Sequence, residues 1–317
     1  MSIATFIKSF LFADLNALKK DEIEAPEEKQ RHSAFSSLSS ESGDATSKAP
    51  PVVRYGNEDI FVFDKCTSTS IATVGIYLYH SGILWIRNPL EEGKDFALQY
   101  RFAMPDWQLL LGDWTGSGLE TLGFYNPTMG MFMLWNTLDG GEPDKIFPFG
   151  PRKAGLIALS GDWDGDGIDT IGLYDAQEGK FILKNSNQGG SADRRLSVAT
   201  PDPAYIPVVG DWTGEGCDKV GLYQRSKGVF LLKEQLNHGH QATEFKFSPH
   251  RPDWLPVVGD WNGDGRETIG LFDPENGTFY LATQPFQSRE KTVLNFVHRV
   301  PDGPCFPFGI RWTNFSS

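Results

Sequence analysis

GDWDGDGIDTIGLYDAQEGKFIL, running from Gly161 to Leu183, is written four times in this chain with small changes. The other copies are GDWTGSGLETLGFYNPTMGMFML from Gly112, GDWTGEGCDKVGLYQRSKGVFLL from Gly210 and GDWNGDGRETIGLFDPENGTFYL from Gly259. Their first aspartates, Asp113, Asp162, Asp211 and Asp260, follow one another at a constant interval of 49 residues. Self-similarity at a fixed period marks a repeat architecture. A degenerate copy, ATVGIYLYHSGILWIRN from Ala72 to Asn88, precedes them and has lost the Gly-Asp-Trp text at Asp64 to Ser68. At the other end PDGPCFPFGIRW, Pro301 to Trp312, resembles RPDWLPVVGDW, Arg251 to Trp261, and reads as the start of a further unit.

Each unit reads as four short strands. In the last full copy these are Leu255 to Gly259, Thr268 to Phe272, Thr278 to Ala282 and Thr292 to Val297, the fourth reached through a longer, variable connection. An Asp/Asn/Gly turn separates the first two, and Pro274 to Gly277 forms the next turn. A twisted four-stranded sheet with two apolar faces cannot stand alone, whereas blades stacked radially shield one another. The expected fold is therefore all-β, a β-propeller of five four-stranded blades. A six-bladed ring completed by a partner chain and an open solenoid are the alternatives. Ring closure is expected to mix Val52 to Tyr55 and Ile60 to Phe63 with Phe306 to Trp312. Trp114, Trp163, Trp212 and Trp261 are expected to pack between blades, with ligand stacking as the other reading.

Three parts follow along the chain. Residues 1–20 read as a short amphipathic helix with apolar positions Ile3, Phe6, Ile7, Phe10, Leu11, Leu15 and Leu18. Residues 21–50, rich in Ser, Glu, Lys and Ala, read as a disordered linker. Residues 51–317 hold the propeller. The helix is either a leader or docking segment for a partner protein, or a frayed terminus or a helix lying on the main domain. It lacks the basic start and small-residue cleavage site of a secretory signal, which leaves export by another route or residence in the cytoplasm. No stretch approaches a membrane span. The net charge of −12 makes nucleic acid a poor partner. Three cysteines with no paired spacing argue against a disulfide framework and a structural zinc site, with one pair plus one free thiol as the remaining alternative.

The turn between the first two strands carries the chemistry. In Asp162-Trp163-Asp164-Gly165-Asp166-Gly167-Ile168, carboxylates stand at positions one, three and five, and the Ile168 carbonyl adds a fourth oxygen. Hard oxygen donors in this number suit Ca²⁺. The text resembles the FG-GAP and VCBS-type repeats of integrin-like propellers, whose loops read Asp-x-Asp/Asn-x-Asp-Gly-x-x-Asp and bind calcium. The resemblance spans roughly residues 60–312. It implies Asp162, Asp164, Asp166, Ile168 and Thr170 as one ligand set, and Asp260, Asn262, Asp264, Arg266 and Thr268 as another. The chain departs from that pattern at position nine, where Thr170 and Thr268 stand; the acids Asp169 and Glu267 fall one residue earlier. Either the backbone adjusts, or a Thr oxygen or water substitutes. The Asp113 and Asp211 loops are poorer, the latter with Lys219 at position nine. In every unit the competing reading is a Gly/Asp turn closed by its own hydrogen bonds.

No catalytic motif stands out. The six histidines fall outside the repeated text, and no Gly-x-Ser-x-Gly, His-Glu-x-x-His or phosphate-binding glycine loop occurs. The chain therefore reads as a non-enzymatic binding module, lectin-like or protein-binding. Trp107, Tyr205 and Trp254, in the loops before the first strands, are the candidate ligand contacts, since an aromatic beside polar groups suits a sugar ring. Loop aromatics that cap blade ends are the competing reading. The alternatives are a cargo or effector of an export or injection system carried by its leader, and a glycoside hydrolase using loop carboxylates.

Overall fold

In the computed structural model, the described residues are 52–55, 58–61, 67–78, 83–86, 96–99, 107–137, 142–236, 242–284, 286–295 and 305–314. All their regular elements are strands. No helix of the described residues is long and apolar enough to cross a membrane. The helix expected over 1–20 and the linker expected over 21–50 lie outside the described residues.

Strands β1 (Val52–Tyr55) and β2 (Glu58–Phe61) form a hairpin of their own. They are followed by β3 (Thr67–Leu78), β4 (Ile83–Ile86) and β5 (Phe96–Gln99). Four sheets in plain chain order come next. The first holds β6 (Gln108–Gly112), β7 (Thr121–Asn126), β8 (Met131–Leu134) and β9 (Lys145–Pro148). The second holds β10 (Leu156–Gly161), β11 (Thr170–Asp175), β12 (Lys180–Leu183) and β13 (Arg194–Leu196). The third holds β14 (Tyr205–Gly210), β15 (Lys219–Gln224), β16 (Val229–Leu232) and β17 (Thr243–Lys246). The fourth holds β18 (Leu255–Gly259), β19 (Thr268–Asp273), β20 (Thr278–Gln284) and β21 (Gln287–Asn295). The last strand, β22 (Cys305–Asn314), returns to pair antiparallel with β3 and completes the sheet β22-β3-β4-β5.

This is a β-propeller arrangement of antiparallel meanders, and each 49-residue unit folds as one of them. Three details differ from the sequence expectation. Five blades are expected; consecutive strands alone build four, and the remaining four-stranded sheet is a composite of both halves of the chain. Residues 52–55 and 60–63 are expected to pair with the C-terminal segment, but β1 pairs with β2 across a two-residue connection. Closing a local hairpin costs far less chain entropy than a distant pairing. Finally, β20 and β21 are joined by a tight turn at Phe286, so the fourth strand begins at Gln287 rather than Thr292.

Two glycines per unit have a steric reason. A Cβ on Gly161 would lie 2.9 Å from the ring of Trp163, which folds back over the first strand; one on Gly172 would lie 2.9 Å from Leu183 Cδ2. The Trp163 ring, 1% exposed, packs with Tyr174, Phe181 and Leu183 of its own blade and with Val220 and Leu222 of the next. Trp114 and Trp212 do the same one blade earlier and later. Trp261, only partly buried, joins the fourth blade to Val74 and Ile76 of β3. Tyr77 of β3 meets Phe124 of the first blade edge-on at 5.9 Å. The composite sheet thus touches both the first and the fourth blade. The first strands face a common cavity of about 260 Å³, lined among others by Leu109, Ser160, Val209, Val258 and Pro307.

Candidate metal centre

The turn from first to second strand closes on its own aspartate. Asp162 Oδ1 accepts the N–H groups of Gly165 at 2.7 Å and Asp166 at 3.2 Å, and Oδ2 accepts that of Gly167 at 2.8 Å. Gly165 and Gly167 have φ of 79° and 83°, a left-handed path open to glycine. Asp260 repeats the pattern with Gly263, Asp264 and Gly265. The hydrogen-bonded turn weighed from the sequence is therefore real. The same turn brings the carboxylates of Asp164 and Asp166 close to that of Asp162.

In the Asp162 loop, carboxylate oxygens of Asp162, Asp164 and Asp166 lie within 4.8 Å of one another, the one such cluster of three among the described residues. Asp162 is buried, while Asp164 and Asp166 are exposed. Asn185, just beyond β12, donates to Asp164 Oδ2 at 2.6 Å, and Asp166 Oδ1 accepts the Ile168 N–H at 2.9 Å. Three acids held this close repel one another unless a cation stands among them. Thr170 is placed elsewhere. It is buried at the start of β11, and its hydroxyl donates to the Gly161 carbonyl at 3.2 Å.

The Asp260 loop carries two carboxylates at these positions rather than three, with Asn262 at position three. The Asn262 amide nitrogen donates to Asp264 Oδ2 at 3.0 Å and to the Thr283 carbonyl at 3.1 Å. Thr268, like Thr170, turns its hydroxyl into the sheet, at 2.6 Å from the Ala282 carbonyl. Arg266 is exposed and its stem lies over Gly214 of the preceding loop.

In the Asp211 loop position nine is Lys219, and its side chain is 3% exposed. The Lys219 Nζ lies 3.3 Å from Asp211 Oδ1, 2.8 Å from Thr213 Oγ1, 3.2 Å from Glu215 Oε2 and 2.6 Å from the Cys217 carbonyl. Burial opposes the charge, but the Cys217 hydrogen bond, the Asp211 charge and the Glu215 hydrogen bond hold the lysine pKa above its ordinary value. Burial likewise works against ionised Asp211, and the Gly216 N–H, Thr213 and Lys219 outweigh it, so its pKa lies below the usual carboxylate range. The Asp113 loop is neutral at these positions: the Thr115 and Ser117 hydroxyls both donate to Asp113 Oδ1 at 3.3 Å.

The acids at position eight have a different task from the one considered for Asp169 and Glu267. The Asp162 N–H donates to Asp218 Oδ2 of the next blade at 2.8 Å, while the Asp218 N–H donates back to the Asp162 carbonyl at 2.6 Å. Asp211 and Glu267 are joined in the same way. The signal was present in the sequence as an acid at position eight of all four copies, Glu120, Asp169, Asp218 and Glu267. A contact that spans two repeats does not show in the text of one.

Of the candidate ligand aromatics, Trp254 is 4% exposed and stacks on Tyr280 with ring centroids 4.7 Å apart, in the core between the third and fourth blades. Its place is among core side chains because the segment Arg251 to Trp254 closes as a turn that points the indole inward. Trp107 and Tyr205 are half-buried. Tyr205 packs against the core that contains Tyr174, and burial with nearby Asp202 and Glu244 raises its pKa.

Fold and loop together define a repeat-built β-propeller with acidic inter-strand turns. No protein-family model and no curated protein matches the chain. Among solved structures it is similar to a lectin of Agrocybe aegerita described as recognising non-reducing terminal N-acetylglucosamine, at 15% identity and a TM-score of 0.43. The match covers 74% of this chain and 66% of the lectin, so the chain spans less than two thirds of that protein. It is also similar to regucalcin of Agrobacterium tumefaciens, described as a calcium-binding protein, at 11% identity, a TM-score of 0.34 and coverage of 74% and 77%.

Proposed function

We propose that this chain is a non-enzymatic binding module of the FG-GAP/VCBS type, with Ca²⁺ held in the Asp162 loop and more weakly in the Asp260 loop. On this reading the composite sheet acts as a fifth blade and the ring is closed. The observation that carries the metal reading is the convergence of Asp162, Asp164 and Asp166 within 4.8 Å, in a turn whose counterpart one blade later encloses a lysine ammonium. Calcium would neutralise the three acids and tie the turn to its blade junction; the Ile168 carbonyl is the natural fourth donor. The Asp260 loop offers one carboxylate fewer. With few charged donors, affinity in the range of about 10⁻⁴ to 10⁻³ M follows. Ligand contact is assigned to the variable loops with Trp107 and Tyr205, and the ligand class is a carbohydrate or a protein surface.

The test uses terbium as a calcium probe, with Trp163 beside the loop as the sensitising ring. Saturable emission displaced by millimolar calcium, and lost in Asp164→Asn, is expected. Emission that does not saturate, or that survives Asp164→Asn unchanged, would overturn the metal reading. A glycan array run in calcium and in chelator tests the ligand class, and detection of glycoside hydrolysis would displace the binding-module reading.

A further inference from the structure

The four loops share one backbone design and differ at position nine. Thr121, Thr170 and Thr268 are short enough for their hydroxyls to reach strand carbonyls within the sheet. Lysine is too long for that place, and Lys219 instead extends into its own loop. Its partners come from positions one, three, five and seven: the Asp211 carboxylate, the Thr213 hydroxyl, the Glu215 carboxylate and the Cys217 carbonyl. In the Asp162 loop these same positions carry Asp162, Asp164, Asp166 and Ile168. An ammonium surrounded by four oxygen donors in alternate positions stands where an inorganic cation would stand.

We infer that Lys219 is a built-in cation for the Asp211 loop, so that position nine sets, blade by blade, whether a loop carries its own positive charge or recruits a metal ion. The calcium reading of the Asp162 loop is needed only for the second half of this statement. The lysine neutralises the same side-chain positions, it cannot dissociate, and it cannot be removed by chelation. The junction between the second and third blades lies beside this loop, since Asp218 at position eight carries the latch to Asp162. One blade boundary is therefore locked irrespective of the metal supply, while the loop one unit earlier responds to it.

The experiment is hydrogen exchange on the full chain, with and without chelator, for wild type, Lys219→Met, Lys219→Thr and Thr170→Lys. In wild type, the amides of Gly214 and Gly216, held by Asp211, are expected to keep their protection in chelator. In Lys219→Met, which keeps the length and loses the charge, that protection falls roughly tenfold or more, the scale of one lost charge-assisted hydrogen bond. Lys219→Thr restores the residue of the sister blades and is expected to regain protection in millimolar calcium. Thr170→Lys is expected to hold Gly165 and Gly167 protected without calcium and to abolish the terbium signal of the Asp162 loop. Unchanged protection in Lys219→Met, with native melting behaviour, would overturn the role of Lys219. A wild-type Asp162 loop indifferent to calcium would remove the metal half alone, because the Lys219→Met result is read in chelator.

Discussion

The carboxylate of Asp169 accepts the backbone N–H of Asp113 at 2.7 Å across a blade boundary, and the Asp169 N–H donates to the Asp113 carbonyl at 2.9 Å. This two-bond clasp joins the residue that opens one loop to the residue that ends the next. It recurs at the following two boundaries, so the loops and the blade junctions are one piece of structure. At the composite sheet Ala72 holds the corresponding place, and there the backbone bond to the Asp260 carbonyl stands alone at 2.7 Å.

Asp169→Ala removes the acceptor and leaves the Asp113 N–H without its partner. A loss of about 1–3 kcal/mol is expected, seen as a fall in Tm of roughly 2–8 °C for a domain of this size. Asp169→Asn keeps an acceptor oxygen and is expected to lose less than half as much. Equal losses in the two variants, by thermal melting monitored by circular dichroism, would remove the clasp from the stability of the fold.

Gly172→Ala places a methyl 2.9 Å from Leu183 Cδ2 and 3.2 Å from the Trp163 ring. Overpacking of this kind costs about 1–3 kcal/mol. Leu183→Ala alone leaves a cavity and costs about 2–5 kcal/mol. The double variant refills that space, so urea denaturation is expected to show a loss smaller than the sum of the two; strict additivity would contradict the contact.

Tyr125, Tyr174 and Tyr223 are fully buried, and burial pushes each pKa up to about 12. The raised folded value means the neutral phenol is favoured by folding. Its contribution is complete below the unfolded value of about 10 and is lost as pH rises toward 12. Alkaline unfolding is therefore expected between about pH 10 and 12. Their hydroxyls have no protein partner, and the fourth blade carries Phe272 in the same place, against Phe279 at 4.5 Å. Replacing all three with phenylalanine is expected to preserve stability at pH 7 and to move the alkaline transition upward, as measured by urea midpoints across that range.

Asp211 gives the opposite limb. Its lowered folded pKa supplies stability above the ordinary carboxylate range, and this is lost as pH falls through that range and below. In Asp211→Asn the fall in urea midpoint below about pH 4 is expected to be shallower than in wild type. An identical acid limb would place the acid sensitivity at other residues.

Much of this molecule is legible in its sequence, because the repeat supplies its own alignment. The spacing of Asp113, Asp162, Asp211 and Asp260 announced equal units, and the turn residues that bound Thr268 to Phe272 and Thr278 to Ala282 announced strands. Trp163 and its counterparts could be placed between blades because a large ring recurs at the same position of each unit; Trp261, at the junction with the composite sheet, is the one only partly buried. The loop carboxylates at positions one, three and five were legible for the same reason. Trp254 misled because a loop position says nothing about which way a side chain turns, and its partner Tyr280 lies a strand away.

The sequence by itself determined the elements and the chemistry of each turn, since both depend on residues a few positions apart: glycine where the backbone must turn left-handed, a carboxylate where amides must be gathered. Only the tertiary structure decided what crosses between units. It paired β22 with β3 rather than with the first hairpin, turned the position-eight acids onto the neighbouring blade, and put the Lys219 ammonium inside its loop. Those outcomes depend on distance and direction between segments separated by tens or hundreds of residues, and linear text carries neither.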